Sequence, residues 1–396
     1  MSQKPISHSP DLARLRNEGY DLEIRSGYLL VKDVPYVDTG RIVKRGTLVS
    51  KLILAGDVTA RPDDHVAHFM GEYPCRADGT PIEAIRNESV RRELAPGVVV
   101  DHRFSAKPMP SGFYEDYYAK VTRYVTIISG YAVVIQPGVT AKTFRPVAAA
   151  DVDEETVFKY IDTASSRAEI ASVTAKLAAV KKVAIVGLGG TGSYVLDFVA
   201  KTPVAEIHLF DGDVFFQHNA FRSPGAPAIE ELSAQPSKAV YFKGIYEKMR
   251  NGIVAHEAYI GAENVDDLRE MSFVFLCIEG PAKKLIVERL EAFGIAFIDV
   301  GMGVYLNEGS LGGILRVTTS TPTQRDHVGE RISFSDDVDR NEYDVNIQIA
   351  DLNALNAALA VIKWKKLVGF YQDLDHEHHS TYTIGGNMLL NEDRQL

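Results

Sequence analysis

"VAIVGLGGTGSYVLDFVA", residues 183 to 200, decides how the rest of the chain is read. A short apolar run gives a strand, Gly187, Gly189, Gly190 and Gly192 give a turn, and an apolar helix comes next. Glycines let such a turn approach a ligand closely, and the amides opening the helix present partial positive charge to it. The pattern predicts a phosphate-bearing nucleotide at this turn. Nicotinamide, flavin and ATP enzymes all use this geometry, so the turn alone leaves the nucleotide open.

Outward from the turn, IHLFD (207 to 211), FVFLC (273 to 277) and AFIDVG (296 to 301) are continuous apolar strands, as in a parallel sheet covered on both faces. Strands and helices alternate at βαβ spacing. The expectation for residues 151 to 396 is a doubly wound, mostly parallel α/β sheet. Residues 1 to 150 read as a smaller α+β domain of unclear role. It should have a helix starting at Ser9-Pro10-Asp11, strands at 28 to 31, 47 to 56 and 65 to 74, and a short helix at 85 to 94 ended by Pro96-Gly97. Residues 122 to 135 read as strand, break, strand. ADVDEE, 150 to 155, reads as the linker, and 162 to 180 as helical.

At 396 residues the chain is long enough for two or three domains, and 45% hydrophobic residues support globular cores. With 43 basic against 53 acidic residues the net charge is -10, which argues against a nucleic-acid surface. Cys75 and Cys277 make no disulfide framework, and no CxxC pair exists for structural zinc. A reducing cytoplasm is expected. No apolar run approaches the length of a membrane span, so no membrane partner is expected.

Asp211 lies 19 residues past Gly192, where a dinucleotide fold places its ribose-binding acid, so an NAD-dependent oxidoreductase is permitted. The next stretch, DGDVFFQHNAFRSPG (211 to 225) with QPSK (235 to 238), separates the readings. A dehydrogenase has no need of Asn219, Arg222 and Lys238 here, whereas cleaving ATP between its α and β phosphates requires charge neutralisation. Glu279 then brings a carboxylate to the strand exit, where Mg²⁺ could bridge it to phosphate, with Asp213 as a second ligand. Plainer roles compete: Asp213 and Asn219 as caps, Glu279 as a helix-dipole partner of PAKKLIVERL. Cys277 is expected to be a buried hydrophobe, Cys75 an exposed thiol at a hairpin, and DHEHHS (375 to 380) a solvated loop rather than a metal site. The aromatic set Phe113, Tyr114, Tyr117, Tyr118 and Tyr124 is expected in core or interface. In the helix at 351 to 367, Leu352, Leu355, Leu359, Ile362 and Trp364 form an apolar face for core or a dimer seam. Residues 318 to 343 read as a loop over the site.

GLGGTGS, DGDxxxxxNxxR, the lysine of QPSK and VFLCIEGPAKK together resemble the adenylating superfamily of ThiF, MoeB and the ubiquitin-activating enzymes, over about residues 160 to 370. With its long N-terminal domain the chain looks most like bacterial ThiF-type proteins encoded with ubiquitin-like proteins. The resemblance implies a Rossmann-like adenylation domain using ATP and Mg²⁺ to activate the C-terminal carboxylate of a ubiquitin-like protein. It assigns nucleotide binding to Gly187, Gly189, Gly190, Thr191, Gly192 and Ser193, and ribose to Asp211. Asp213 and Asn219 would support the nucleotide, and Arg222 and Lys238 would hold its phosphates. Glu279 stands where the family usually has aspartate followed by asparagine, and is the implied metal ligand. Arg167 resembles the arginine that homodimeric members pass to the partner's ATP. Implied partners are a ubiquitin-like protein, a conjugating enzyme and a second copy. A non-catalytic nucleotide-binding scaffold is the remaining reading, motivated by the change at 279.

Overall fold

The computed structural model describes residues 3–149, 156–334 and 347–394. The chain divides into one unit of Met1–Thr156 with Tyr160–Glu169, and a second of Val157–Lys159 with Ile170–Leu396. The expected linker at 150 to 155 lies outside the described residues. Tyr160–Glu169 groups with the first unit rather than with the α/β unit, and Arg167 goes with it. Residues 162 to 180 form two helices, Thr163–Arg167 and Ala171–Ala178, parted where Glu169 takes a left-handed backbone at φ 58.

The first unit carries a six-stranded antiparallel sheet in the order Leu22–Arg25, Tyr28–Val37, Val43–Lys51, Val66–Met70, His102–Ser105, Arg86–Glu88. One long helix, Tyr117–Ile135, packs on it, where the sequence suggested strand, break, strand. Asp116 caps that helix by accepting from the Ala119 amide at 2.7 Å. Its buried residues, Tyr117, Val121, Tyr124, Ile128 and Ala132, repeat every three or four positions; the first four meet Leu29, Leu48, Phe69 and Phe104 of the sheet, and Ala132 meets Val37. Burial of this stripe overrides the strand preference of its β-branched residues. The helix expected at 85 to 94 is also corrected. A 3₁₀ turn at Glu83–Ile85 leads into strands Arg86–Glu88, Arg92–Ala95 and Val98–Val100. Pro96-Gly97 is the hairpin turn between the last two, Gly97 taking φ 74 and Val98 and Val100 supplying the buried face. Cys75 is buried rather than exposed, its amide bonded to the Val37 carbonyl at 2.8 Å. Tyr114, Tyr117 and Tyr124 are buried as expected, while Phe113 is half exposed.

In the second unit β1 is Lys182–Val186, α1 Gly190–Ala200, β2 Glu206–Phe210, α2 Lys238–Tyr246, β3 Ile253–His256, β4 Phe273–Leu276, α3 Ala282–Phe293 and β5 Phe297–Asn307. β6 is Ser310–Ser320, α4 Ala350–Leu367, β7 His379–Thr383 and β8 Met388–Glu392. The sheet runs β3-β2-β1-β4-β5 with every neighbour parallel, then β6, β7 and β8 antiparallel. This is the doubly wound, mostly parallel arrangement, and order reverses between β1 and β4. Along β1, Val183 and Ile185 join the core cluster containing Leu196, Phe242 and Trp364, while Ala184 and Val186 join the one containing Ile286 and Leu290. Alternate side chains thus enter two separate cores, which is why these strands read as unbroken apolar runs.

α4 buries Trp364 as expected, but the rest of its core-facing residues differ from the expected face. Asn353, Asn356, Ala357, Ala360, Val361 and Trp364 face the core, Leu352, Leu355 and Leu359 are half-buried, and Ile362 is exposed. The histidine tract is not a solvated loop: His378 and His379 are buried, and His379 lies in β7 with Nδ1 3.0 Å from Thr318 Oγ1. Of the loop expected at 318 to 343, residues 318 to 320 belong to β6, Val328–Arg331 is helical, and 335 to 343 lie outside the described residues. No helix among the described residues is long and apolar enough to cross a membrane.

Candidate nucleotide site

β1 ends against the glycine turn. The Gly187 amide donates to the Phe210 carbonyl at 2.8 Å, and its φ of 90 is one that a side chain would strain. A Cβ at Gly187 would lie 2.6 Å from the Cys277 carbonyl, one at Gly192 would overlap the Gly187 carbonyl, and one at Gly190 the Asn353 carboxamide. At Gly189 a Cβ would meet open space. Three glycines therefore let the turn close on the β4 exit and on α4. The fourth lies on the open side, at the amide-rich start of an 11-residue helix, where an anion is favoured.

Asp211, immediately after β2, ties this turn down. Its Oδ2 accepts from the Leu188 amide at 2.6 Å and its Oδ1 from the Asp213 amide at 2.8 Å. Burial pushes its pKa up, more than the nearby Lys238 ammonium lowers it. Asp213 is a third exposed and pairs with Lys238 Nζ at 2.6 Å through Oδ2, while Oδ1 accepts from the Tyr259 hydroxyl. Burial raises its pKa, but Lys238, Tyr259 and Arg222 outweigh that and hold it below the usual carboxylate value. Lys238 opens α2, capped by Ser237, and its buried ammonium also stands 3.8 Å from Asp211. The glycine turn, Asp211, Asp213 and Lys238 thus form one cluster at the carboxyl ends of β1 and β2.

Asn219 is buried and accepts from the Phe216 amide at 2.8 Å, so it caps the short helix Gln217–Ala220, the plainer of its two expected roles. The Arg222 amide bonds back to the Asn219 carbonyl at 3.1 Å. Arg222 is close enough to lower the pKa of both Asp213 and His218, in His218 behind the larger effect of burial. Thr191 Oγ1 lies 3.0 Å from Asn353 Oδ1, and Ser193 Oγ turns inward onto the Gly190 carbonyl at 2.8 Å. Ser193 therefore shapes the helix start from within. Arg167 lies in the first unit, exposed on Thr163–Arg167 with its guanidinium 6.0 Å from the Phe144 ring.

Glu279, just past β4, is half exposed, and its Oε2 lies 3.3 Å from Lys283 Nζ. Lys283 is buried in the first turn of α3 and also pairs with buried Asp299 of β5 at 2.9 Å. Among the described residues no group of three His, Cys, Asp or Glu side chains is placed to hold a metal ion. Because an ammonium already compensates Glu279, this strand exit fits a protein-held Mg²⁺ poorly. Cys277, between this trio and the glycine turn, is partly buried, and its thiol is pushed up by burial and then by Asp299.

Four contributors carried little or no signal in the sequence. Asn353 bonds Thr191 and, through Nδ2, the Arg222 carbonyl at 3.1 Å. The signal available was two asparagines in the apolar first half of the helix, among Leu352, Leu355 and Ala357. Lys283 stands four residues past Glu279, a spacing that pairs charges on one helix face, and Asp299 is the only charge in AFIDVG. Tyr259 carried no signal.

Residues 10–163 match the profile of a family described as a domain of unknown function, DUF6791. No curated protein sequence matches the chain. Among solved structures it is similar to PaaA, at 18% identity over 57% of this chain and 67% of that one, with a TM-score of 0.44. It is similar also to E. coli MccB with MccA-N7isoASN (18% identity, 58% and 72% covered, TM-score 0.46). E. coli MccB with ATP gives 17% identity, 56% and 65% coverage and a TM-score of 0.42.

Proposed function

We propose that this chain is an ATP-dependent adenylating enzyme of the ThiF type, acting on the C-terminal carboxylate of a ubiquitin-like protein. The observation that carries the reading is the buried Lys238 ammonium, held 2.6 Å from Asp213 beside a helix start whose glycine turn opens at Gly189. An oxidoreductase has no use for a fixed cation there. In the reaction the carboxylate attacks the α-phosphate, the α–β bond breaks, and an acyl adenylate and pyrophosphate form. The residues contribute positioning and charge: amides of the turn and α1 face the phosphates, and Lys238 and Arg222 stabilise the charge developing on them. Mg²⁺ enters with the triphosphate. Asp211 reaches the ribose only by sharing oxygens that already accept backbone amides. The acyl adenylate passes to a nucleophile on a separate partner such as a conjugating enzyme.

Substrate-dependent exchange of labelled pyrophosphate into ATP tests the reading. Lys238→Ala and Arg222→Ala should each lower it about 100-fold. Full exchange in both, or titration heat with NAD and none with Mg·ATP, refutes it. The half-buried Leu352, Leu355 and Leu359 with exposed Ile362 suit a homodimer seam. Light scattering should find a dimer that Ile362→Asp weakens; a wild-type monomer active in exchange removes the seam.

A further inference from the structure

We propose that Lys283 is the resident cation of this nucleotide site: a positioning residue that holds Glu279 at the β4 exit and takes the place of a divalent ion there. The inference rests on the nucleotide reading above and goes beyond it, because the sequence alone suggested a metal at Glu279 and the structure sets an ammonium there.

The Lys283 side chain is 2% exposed, and its ammonium touches two carboxylates of unlike setting. Asp299, 7% exposed and 2.9 Å away, is the inner counter-charge that keeps a buried ammonium charged. Glu279, 43% exposed and 3.3 Å away, is the outer one. Gly280, at φ 102, turns the chain between Glu279 and α3, so Lys283 of the first helical turn reaches back one turn to the strand exit. β5 and α3 fix Asp299 and Lys283 before any ligand arrives. An approaching Mg²⁺ therefore finds a carboxylate already neutralised, with a like charge beside it. At such range one unit charge changes a binding constant by tenfold or more.

The test is calorimetric titration of the full chain with ATP, in Mg²⁺ and in EDTA. For wild type the two affinities should agree within about threefold. In Lys283→Met the Mg²⁺ advantage should rise by about tenfold, and Glu279→Gln added to Lys283→Met should abolish the rise. Lys283→Arg should behave as wild type. Where Lys283→Met alone does not fold, Lys283→Met with Asp299→Asn removes both inner charges and is read in the same way. An unchanged Mg²⁺ advantage in these variants, with ATP still bound, overturns the role of Lys283 and leaves the nucleotide reading standing. A wild type that binds ATP in neither condition overturns both.

Discussion

Gly190 and Gly192 are two residues apart in one helix, yet replacing each with alanine should give different outcomes. A Cβ at Gly192 would overlap the Gly187 carbonyl and stand 3.0 Å from the Cys277 Cβ, neither of which can swing away. Overpacking against fixed atoms costs about 2–3 kcal/mol, offset by at most about 1 kcal/mol of helix propensity. At Gly190 the obstacle is the end of a side chain, the Asn353 carboxamide. Moving it breaks the contacts to Thr191 at 3.0 Å and the Arg222 carbonyl at 3.1 Å, about 1 kcal/mol each. Asn353→Ala removes the obstacle together with the bonds, so Gly190→Ala should cost almost nothing further in that background. The double-mutant cycle should give a coupling of about 1–2 kcal/mol for Gly190 with Asn353, and less than about 0.5 kcal/mol for Gly192. Trp364 is the only tryptophan and is fully buried in the second unit's core, so its fluorescence in urea tracks this unit alone. Equal costs at the two glycines, both additive with Asn353→Ala, would refute the close approach of α4 to the turn.

Burial raises both thiols, acting on Cys277 with Asp299 and on Cys75 with Asp38, so neither supplies much thiolate at neutral pH. With Mg·ATP and the cognate ubiquitin-like protein, no reductant-sensitive adduct should form on this chain; an adduct lost in Cys277→Ala or Cys75→Ala contradicts that. Burial, outweighing Lys283, pushes Asp299 up to about 6 from 3.8, so between those values the folded chain keeps a proton that the unfolded chain has shed. Wild type should therefore lose stability relative to Asp299→Asn as pH rises from about 4 to 6, and urea midpoints that run parallel across that window count against burial outweighing Lys283 at Asp299.

The glycine turn, Asp211, Asp213 and Lys238 were legible because each answers a local demand. A turn needing close approach selects glycine, and an acid past a buried strand or a lysine opening a capped helix stands out against its neighbours. Asn353, Lys283 and Asp299 were present as polar residues in apolar surroundings, but nothing local says what such a residue faces. Thr191 and Asn353 are 162 residues apart, and no spacing rule connects them.

Local sequence was enough to set the parallel strands β1, β2, β4 and β5, though not β3, and to mark the glycine turn, since apolar runs buried on both faces and steric demands on glycine act within a few residues. Three features had to wait for the packed fold: residues 117 to 135 form one helix, α4 turns its asparagines inward, and Glu279 meets an ammonium. A β-branched stripe or a lone carboxylate has more than one low-energy setting. The choice is made by partners that folding brings from elsewhere in the chain.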